Sequence, residues 1–188
     1  MLFRSSGTDP DGNLILFGGI ENAEEAESRG AEITATILPV DSLVFNVSAG
    51  YLDAKYKKFV SFIDGANRVL DDRTIPNAPK VTLAFDGEYR FDLTSSLQGF
   101  ARAEWNYRSG IRATNAALIR SGFPWEVPSF DTTSVRLGVR GDVYSVTLYA
   151  ENVFDDVYFT NAYDKAFTGG LHIEPSYRTY GEIGRAHV

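Results

Sequence analysis

Residues 80–91 read Lys80-Val81-Thr82-Leu83-Ala84-Phe85-Asp86-Gly87-Glu88-Tyr89-Arg90-Phe91. Apolar side chains recur at every second position, at Val81, Leu83, Phe85, Tyr89 and Phe91, and the polar side chains between them are Thr82, Asp86, Glu88 and Arg90. This period of two predicts a β-strand with one apolar face and one polar face. Strands of soluble proteins average about five or six residues, whereas a strand that crosses a bilayer at a tilt needs about nine to eleven. The length of the stretch therefore indicates a strand that crosses a membrane.

The same unit repeats between Leu43 and Asn152, with connections that are alternately very short and very long. About eight strands are predicted, at 13–20, 30–38, 43–51, 80–91, 97–108, 134–140 and 144–151 and from Tyr177 onward. Tight turns are predicted at 39–42, 92–95 and 141–142, and long polar segments at 55–78, 109–129 and 154–176. Antiparallel outer-membrane barrels have short periplasmic turns and long extracellular loops. The predicted fold class is all-β, an antiparallel transmembrane β-barrel segment.

Composition and charge exclude several other classes. The chain is 44% hydrophobic and 23% charged with a mean hydropathy of −0.17, which is ordinary for a soluble domain, but a barrel escapes hydropathy detection because half of each strand faces a polar interior. No stretch approaches the roughly twenty apolar residues of a membrane helix. A net charge of −7 gives no electrostatic footprint for nucleic acid, and the absence of cysteine excludes disulfides and thiolate metal sites. Residues 1–6 lack the features of a signal peptide, so a fragment is expected.

Aromatic residues on the predicted apolar faces fall into two bands. Phe45, Tyr89, Phe91 and Tyr144 lie near the predicted turn end of their strands, and Tyr51, Trp105 and Tyr107 lie near the loop end. Mainly aliphatic residues lie between the bands, which is the arrangement of the aromatic girdles at the two membrane interfaces. The alternative is that these residues are core aromatics between the sheets of a soluble sandwich.

Several short segments carry a family resemblance. They are residues 28–32 (Ser-Arg-Gly-Ala-Glu), the turn at Pro39, 50–56 (Gly-Tyr-Leu-Asp-Ala-Lys-Tyr), 77–80 (Asn-Ala-Pro-Lys), 151–158 (Glu-Asn-Val-Phe-Asp-Asp-Val-Tyr) and 178–181 (Arg-Thr-Tyr-Gly). Their order and spacing resemble the C-terminal third of the barrel of TonB-dependent outer-membrane receptors.

The resemblance implies a fold, a location and a set of partners. The fold would be a barrel of about 22 strands closed by an N-terminal plug, in the outer membrane of a Gram-negative bacterium. Its implied function is uptake of scarce nutrients, such as iron-siderophore complexes, cobalamin or glycans, energised through TonB. The implied partners are outer-membrane lipid, the plug, the TonB complex and a small-molecule nutrient. The plug and the TonB box are not in this sequence, so residues 1–181 are expected to be the C-terminal portion of a receptor barrel.

The tail departs from the family pattern. After residues 178–181 a receptor normally continues its last strand with alternating apolar residues and ends on an aromatic residue, but this chain continues Glu182-Ile183-Gly184-Arg185-Ala186-His187-Val188. One possible coding is GAG ATC GGA AGA GCA CAC GTC, and everything after its first G matches the start of a widely used sequencing adapter. We therefore expect residues 182–188 to be translated adapter, the alternative being a divergent native C-terminus.

Catalytic and metal chemistry have little support in the sequence, so no enzyme and no cofactor are predicted. The histidines are His172, in a predicted loop, and His187, in the tail, which provides no basis for a metal cluster or a catalytic triad. The acidic pairs Asp71-Asp72 and Asp155-Asp156 lack the spaced ligand pattern of a calcium loop and are interpreted as solvated loop charge. Gly169-Gly170 is interpreted as a flexible turn.

Two sets of residues are candidates for function. The inward polar set is Glu32, Asp86, Glu88, Arg90, Arg102, Glu104, Arg136, Arg140 and Glu151. Positive and negative side chains are interspersed in this set. This favours a wall of mutually neutralised charges that contacts the plug, rather than the lining of a solute path. The loop candidates for ligand binding are Tyr56, Arg68, Arg73, Arg112, Arg120, Trp125 and Tyr163, with Phe59, Phe62, Phe123 and Lys165 beside them. This mixture suits an aromatic or anionic siderophore, and its aromatics alone would suit sugars.

Two other classes of function remain open at this point. A passive porin would share the girdles, the alternation and the loop asymmetry, but it would have no plug. A soluble all-β binding or adhesion module would place the aromatic bands in its interior and would need no detergent.

Overall fold

The computed structural model describes residues 2–8, 14–20, 23–63, 66–113, 126–165 and 170–186. Its strands are β1 (Leu2–Thr8), β2 (Leu14–Ile20), β3 (Glu25–Val40), β4 (Leu43–Lys58), β5 (Val60–Ile63), β6 (Ala66–Val69), β7 (Val81–Thr94), β8 (Leu97–Arg108), β9 (Ile111–Arg112), β10 (Glu126–Val127), β11 (Phe130–Gly141), β12 (Tyr144–Glu151), β13 (Tyr158–Lys165), β14 (Gly170–Ser176) and β15 (Thr179–Ala186). Within these ranges there is no helix that could cross a membrane.

Seven strands form one antiparallel sheet in the order β3-β4-β7-β8-β11-β12-β15. Each strand of this main sheet pairs with the next one in the series, so the sheet is a continuous meander. The sheet is open, with β3 and β15 at its edges. This architecture confirms the predicted all-β class.

The connections of the main sheet alternate in length as the sequence predicts. Two-residue turns at 41–42, 95–96 and 142–143 join strands at one end, and the long connections 59–80, 109–129 and 152–178 lie at the other. The strands run further into the turns than predicted, because β3 reaches Val40 and β7 reaches Thr94. The pairing of β3 with β4 is irregular between Ile37 and Val40, around Pro39, which has no N–H to donate to the ladder.

Several strand boundaries differ from the predicted ones at the loop end. β3 begins at Glu25, before the predicted start at residue 30, and β4 continues to Lys58 through the start of a predicted loop. Lys57 on β4 and Glu27 on β3 form an ion pair across this extension, with Nζ and Oε2 3.4 Å apart. Cross-strand pairs of opposite charge stabilise the polar ends of strands. The alternation of apolar residues does not predict these ends, because they contain few apolar residues.

The long connections contain small sheets of their own. β5 pairs with β6, β9 with β10, and β13 with β14, and each pair is a separate two-stranded sheet. The predicted strand at 13–20 corresponds to β2, which pairs with β1 rather than with β3. The main sheet therefore has seven of the eight predicted strands.

One face of the main sheet is apolar and uncovered. Ile33, Leu137 and Leu148 are 67%, 56% and 55% exposed on this face, and no second sheet packs over it within the described ranges. The buried apolar residues lie instead at the loop end, in one cluster of Tyr56, Phe59 and Leu70 and another of Ile111 and Val127. A broad exposed apolar face on a sheet that no second sheet covers is typical of a lipid-facing surface and not of a sandwich core.

Candidate functional site

The polar face of the main sheet has a row of hydrogen bonds across its first three strands. Thr36, Asn46 and Asp86 are direct neighbours on β3, β4 and β7. The Thr36 hydroxyl donates to Asn46 Oδ1 at 2.8 Å, and Asn46 Nδ2 donates to Asp86 Oδ1 at 2.7 Å. Each of these side chains therefore has a hydrogen-bond partner on a neighbouring strand, and the row runs perpendicular to the strands.

The row continues as ion pairs across the remaining strands. Arg102 Nη2 lies 2.8 Å from both Asp86 Oδ2 and Glu104 Oε1, and Arg136 Nη1 lies 2.7 Å from the same Glu104 oxygen. Arg136 Nη2 lies 3.6 Å from Glu151 Oε1. We call the whole series the polar ladder: Thr36, Asn46, Asp86, Arg102, Glu104, Arg136, Glu151 and Thr179, whose hydroxyl donates to Glu151 Oε2 at 3.4 Å. It crosses all seven strands of the main sheet.

Strand pairing explains why the ladder needs both signs of charge. Arg102 and Arg136 lie directly opposite each other, as do Asp86 and Glu104. Like charges in directly opposite positions destabilise a sheet. The diagonal ion pairs offset this repulsion, since each arginine lies between carboxylates and Glu104 contacts both arginines.

The ladder accounts for five of the nine predicted inward residues. Glu88 and Arg90 form a separate pair, with Arg90 Nε 2.6 Å from Glu88 Oε1. The Arg140 guanidinium lies 5.7 Å from the centre of the Phe100 ring. Glu32 lies opposite Gly50 on the same face. Most of the predicted inward residues therefore neutralise one another's charge through ion pairs.

The predicted girdle residues lie on the opposite, apolar face. Towards the turn end, the Tyr89 and Phe91 rings stack with centroids 5.9 Å apart, and towards the loop end Trp105 and Tyr107 stack at 6.2 Å. The Trp105 indole N–H donates to Asp131 Oδ2 at 2.9 Å, a polar contact typical of an interfacial tryptophan. The centres of the Phe45 and Phe85 rings lie 5.6 Å apart. Tyr51 and Tyr144 are 55% and 47% exposed.

The apolar face of β4 ends at Tyr51 and is followed by charged residues. Asp53 and Lys55 are next along that face, and Lys55 Nζ donates to Asp53 Oδ2 at 2.9 Å. This hydrogen bond lowers the pKa of Asp53 and raises the pKa of Lys55. The charged pair lies beyond the apolar belt, so Tyr51 marks the outer boundary of that belt on β4.

A cleft of about 600 Å³ lies at the loop end, where the first two long connections meet. Its lining includes the cations Lys80 and Arg112, and buried Ile111 and Val127 contribute apolar surface. Arg112 Nη2 lies 4.0 Å from Glu126 Oε1. The Asn77 N–H donates to the Arg112 carbonyl at 2.8 Å and joins the two connections. The cleft therefore combines an apolar wall with two cations, one of which faces the carboxylate of Glu126 in the same lining.

The lining of this cleft does not include the predicted ligand-binding residues Tyr56, Arg68 and Arg73. Tyr56 is 6% exposed and packs in the cluster with Phe59 and Leu70, which leaves little of its ring for a ligand. The Arg73 carbonyl accepts a hydrogen bond from the Tyr56 N–H at 3.0 Å, and Arg68 is exposed on β6. Arg120, Trp125 and Phe123 lie outside the described residues, and the side chains of Phe62, Tyr163 and Lys165 are not described. Among the predicted candidates whose side chains are described, Arg112 lines the cleft.

One residue with many contacts was missed by the sequence prediction. Arg108 donates to the Thr160 carbonyl at 3.0 Å, and its guanidinium lies 4.6 Å from the centre of the Phe130 ring. Phe130 in turn stacks on Tyr158 at 4.4 Å. Alternation places Arg108 on the polar face, but no local pattern connects it with residues fifty positions away.

The acidic pairs take part in turns. Asp71 Oδ1 accepts a hydrogen bond from the Phe59 N–H at 2.9 Å, and Asp155 Oδ2 lies 3.4 Å from Arg178 Nη2. Among the described residues, no three His, Cys, Asp or Glu side chains are grouped so that they could hold a metal ion.

Comparisons with known proteins agree with this geometry. The family model described as "TonB dependent receptor-like, beta-barrel" matches residues 1–153. The fold resembles the ferric yersiniabactin uptake receptor FyuA from Yersinia pestis, with a TM-score of 0.65 and 15% identity over 86% of this chain and 23% of that one. It also resembles the siderophore receptor PiuA from Acinetobacter baumannii, with a TM-score of 0.63 and 18% identity over 97% of this chain and 24% of that one. The ferric-catecholate import receptor Fiu from E. coli K12 gives a TM-score of 0.62 and 18% identity over 97% and 24%. The chain spans about a quarter of the length of these receptors.

Proposed function

Because the chain belongs to the TonB-dependent receptor β-barrel family, we propose that it forms part of the wall of a receptor that takes up ferric siderophores with energy from TonB. The family assignment places the chain in the outer membrane of a Gram-negative bacterium. The members of this family are transport receptors rather than enzymes, in agreement with the expectation that the chain is not an enzyme.

The observation that carries this proposal is the contrast between the two faces of the main sheet. The apolar face is uncovered and edged by aromatic residues, whereas the polar face carries the ladder of neutralised charges. A barrel wall needs these two faces, since one contacts lipid and the other surrounds a polar interior. The ladder has no single-sign ring, so its proposed role is to face the plug and not to select ions.

The loop-end cleft supports a siderophore as the ligand. Lys80 and Arg112 supply positive charge, and Ile111 and Val127 supply apolar contact. This combination fits an anionic chelate with an aromatic or aliphatic body, because charge-assisted contacts are strong where apolar surface reduces their hydration. The known receptors of similar fold include two whose names specify ferric siderophores, FyuA and Fiu. Cobalamin and glycans are the competing ligands.

Transport is tested in the complete receptor that contains this segment, obtained by sequencing the source locus beyond both ends of the reading frame. Cells that express it are supplied with radioactive iron bound to a panel of catecholate and hydroxamate siderophores, and separately with labelled cobalamin and labelled glycans, with and without TonB. We expect TonB-dependent uptake of at least one complex. Uptake that persists without TonB would identify a passive channel, and uptake of cobalamin or glycan alone would exclude the siderophore.

The role of the cleft is tested by the Arg112→Ala variant. We expect about a tenfold rise in the Kd for the transported siderophore, equivalent to the loss of one charge-assisted contact. The matched control is Lys58→Ala, which removes an exposed cation at the end of β4, away from the cleft. An unchanged Kd for Arg112→Ala would contradict the cleft assignment without affecting the transport result.

A further inference from the structure

The residues that follow β12 form a compact turn. Asn152 has a φ of 52° and is 4% exposed, and its amide Nδ2 donates to the Asp156 carbonyl at 2.8 Å. The Asp156 N–H donates back to Asn152 Oδ1 at 3.2 Å. The Val153 N–H donates to the Thr133 carbonyl at 2.9 Å, which attaches the turn to β11. The position of this turn is therefore fixed relative to the main sheet.

Arg178, the residue immediately before β15, contacts this turn through three groups. Its backbone N–H donates to Asp155 Oδ1 at 3.2 Å, and its Nη2 lies 3.4 Å from Asp155 Oδ2. Its Nη1 donates to the Val153 carbonyl at 3.4 Å. We call this arrangement the Asp155–Arg178 clasp. It joins the end of β12 to the beginning of β15.

The pairing of β15 with β12 needs such a device because a long connection precedes it. In a tight hairpin the turn fixes the register, but 152–178 is long. The β13–β14 hairpin shortens this connection by bringing Tyr158 opposite Ser176, but it is a separate sheet without ladder pairing to β12. The observed register places Tyr180 opposite Ala150.

The alternation of side chains excludes some wrong registers but not all of them. A slip of one residue would move Tyr180 to the polar face, which the apolar belt opposes. A slip of two residues would keep Tyr180 on the apolar face and place it opposite Leu148 instead of Ala150. Contacts at fixed positions along the strand distinguish these two arrangements: the hydrogen bond of Thr179 with Glu151, the close packing of Gly181 against Tyr149, and the contacts of Arg178.

We propose that the Asp155–Arg178 clasp sets the register of β15 on β12. Both side chains are about half exposed, at 46% and 49%, so the ion pair alone contributes little to stability. Its effect is on specificity, because three contacts converge on one residue and all of them are lost if β15 moves by two positions. The clasp gives a physical reason for the segments 151–158 and 178–181 to occur together. It does not depend on which solute the receptor carries.

The register is measured by disulfide cross-linking in the complete receptor, with other cysteines removed. The pair Ala150→Cys with Tyr180→Cys reports the observed register, and Leu148→Cys with Tyr180→Cys reports the slipped one. Directly opposite strand residues have Cα atoms about 4.5–5.5 Å apart, within the range of a disulfide.

Each reporter pair is combined with Asp155→Asn, a residue type that tolerates the φ of 61° at this position, or with Arg178→Gln. Both changes are expected to lower the ratio of observed to slipped cross-link by about fivefold. The control is Asp156→Asn, which removes the same charge one residue later, where the side chain makes no hydrogen bond or ion pair within the described residues. Unchanged ratios in the Asp155 and Arg178 variants would overturn the proposal.

A conservative variant covers the case in which the single variants do not assemble. If neither reaches the membrane as a heat-modifiable barrel, Arg178→Lys keeps a cation opposite Asp155 and leaves the backbone conformation of Asp155 unchanged. Recovery of assembly and of the observed cross-link would support the clasp. Failure equal to that of the single variants would overturn it.

Discussion

Glu104 connects two arginines that strand pairing places opposite each other. Its Oε1 lies 2.8 Å from Arg102 and 2.7 Å from Arg136. The Glu104 side chain is 21% exposed and the two arginines are 37% and 32% exposed, so water screens the repulsion between the guanidinium groups only in part. Glu104 is therefore the residue on which the charge balance of the ladder depends most.

The Glu104→Gln variant of the complete receptor is expected to lower the free energy of unfolding by about 1–2 kcal/mol, because two charge-assisted contacts are lost and the arginines remain. The matched control is Glu88→Gln on the same face. Within the part of the chain that the structure describes, the ion-pair partner of Glu88 is Arg90, so the expected loss is about 0.5 kcal/mol or less. Urea unfolding, followed by loss of heat-modifiability on gels, measures both variants. Equal losses of free energy in the two variants would show that the position of Glu104 between two arginines adds no stability beyond that of a single ion pair.

At the scale of the strands, alternation was sufficient to predict the main sheet and its two faces. Thr82, Asp86 and Arg102 were assigned to the polar face from the period of two alone, and the pairing places Asp86 beside Arg102 there. Tyr56 shows where this reasoning ends. It lies in a segment without apolar alternation, and its burial arises from contacts with Phe59 and Leu70. Similarly, the cleft is formed by two connections that only the fold brings together.

The last strand loses its alternation after Gly181. The register places Tyr180 on the apolar face, opposite Ala150, and the next two residues of that face are Glu182, opposite Leu148, and Gly184, opposite Val146. Ile183 lies on the polar face, opposite Thr147. A carboxylate on the apolar face and an isoleucine on the polar face reverse the alternation of the neighbouring strand β12, in which Val146 and Leu148 are apolar and Thr147 is polar. This reversal supports our proposal that residues 182–188 are translated adapter.

Resequencing the source locus with a different library chemistry tests that proposal. We expect the codons after Gly181 to change and to encode apolar residues at positions 182, 184 and 186, where the register points towards lipid. A last residue that is aromatic would agree with the family pattern. If the same seven codons reappear, residues 182–188 are native and β15 is an atypical last strand.

At the scale of the whole molecule, the main sheet is a wall without closure. β3 and β15 are edges, so each carries a row of backbone N–H and C=O groups that the neighbouring strands of a complete barrel would pair. Unpaired backbone groups cost several kcal/mol each in the hydrocarbon region of a bilayer. Polar side chains cannot offset this cost, since the polar ladder lies on one face and not along the edges.

We therefore expect the isolated chain of 188 residues to aggregate and not to insert into detergent micelles or bilayers as a monomer. The exposed apolar face and the two free edges favour association with other copies, because both are satisfied by contact between chains. Refolding into detergent, followed by size-exclusion chromatography and gel mobility with and without heating, measures the outcome, and the complete receptor refolded in the same way is the control. A monodisperse, heat-modifiable species of the isolated chain would show that this wall closes or pairs its edges without the rest of the barrel.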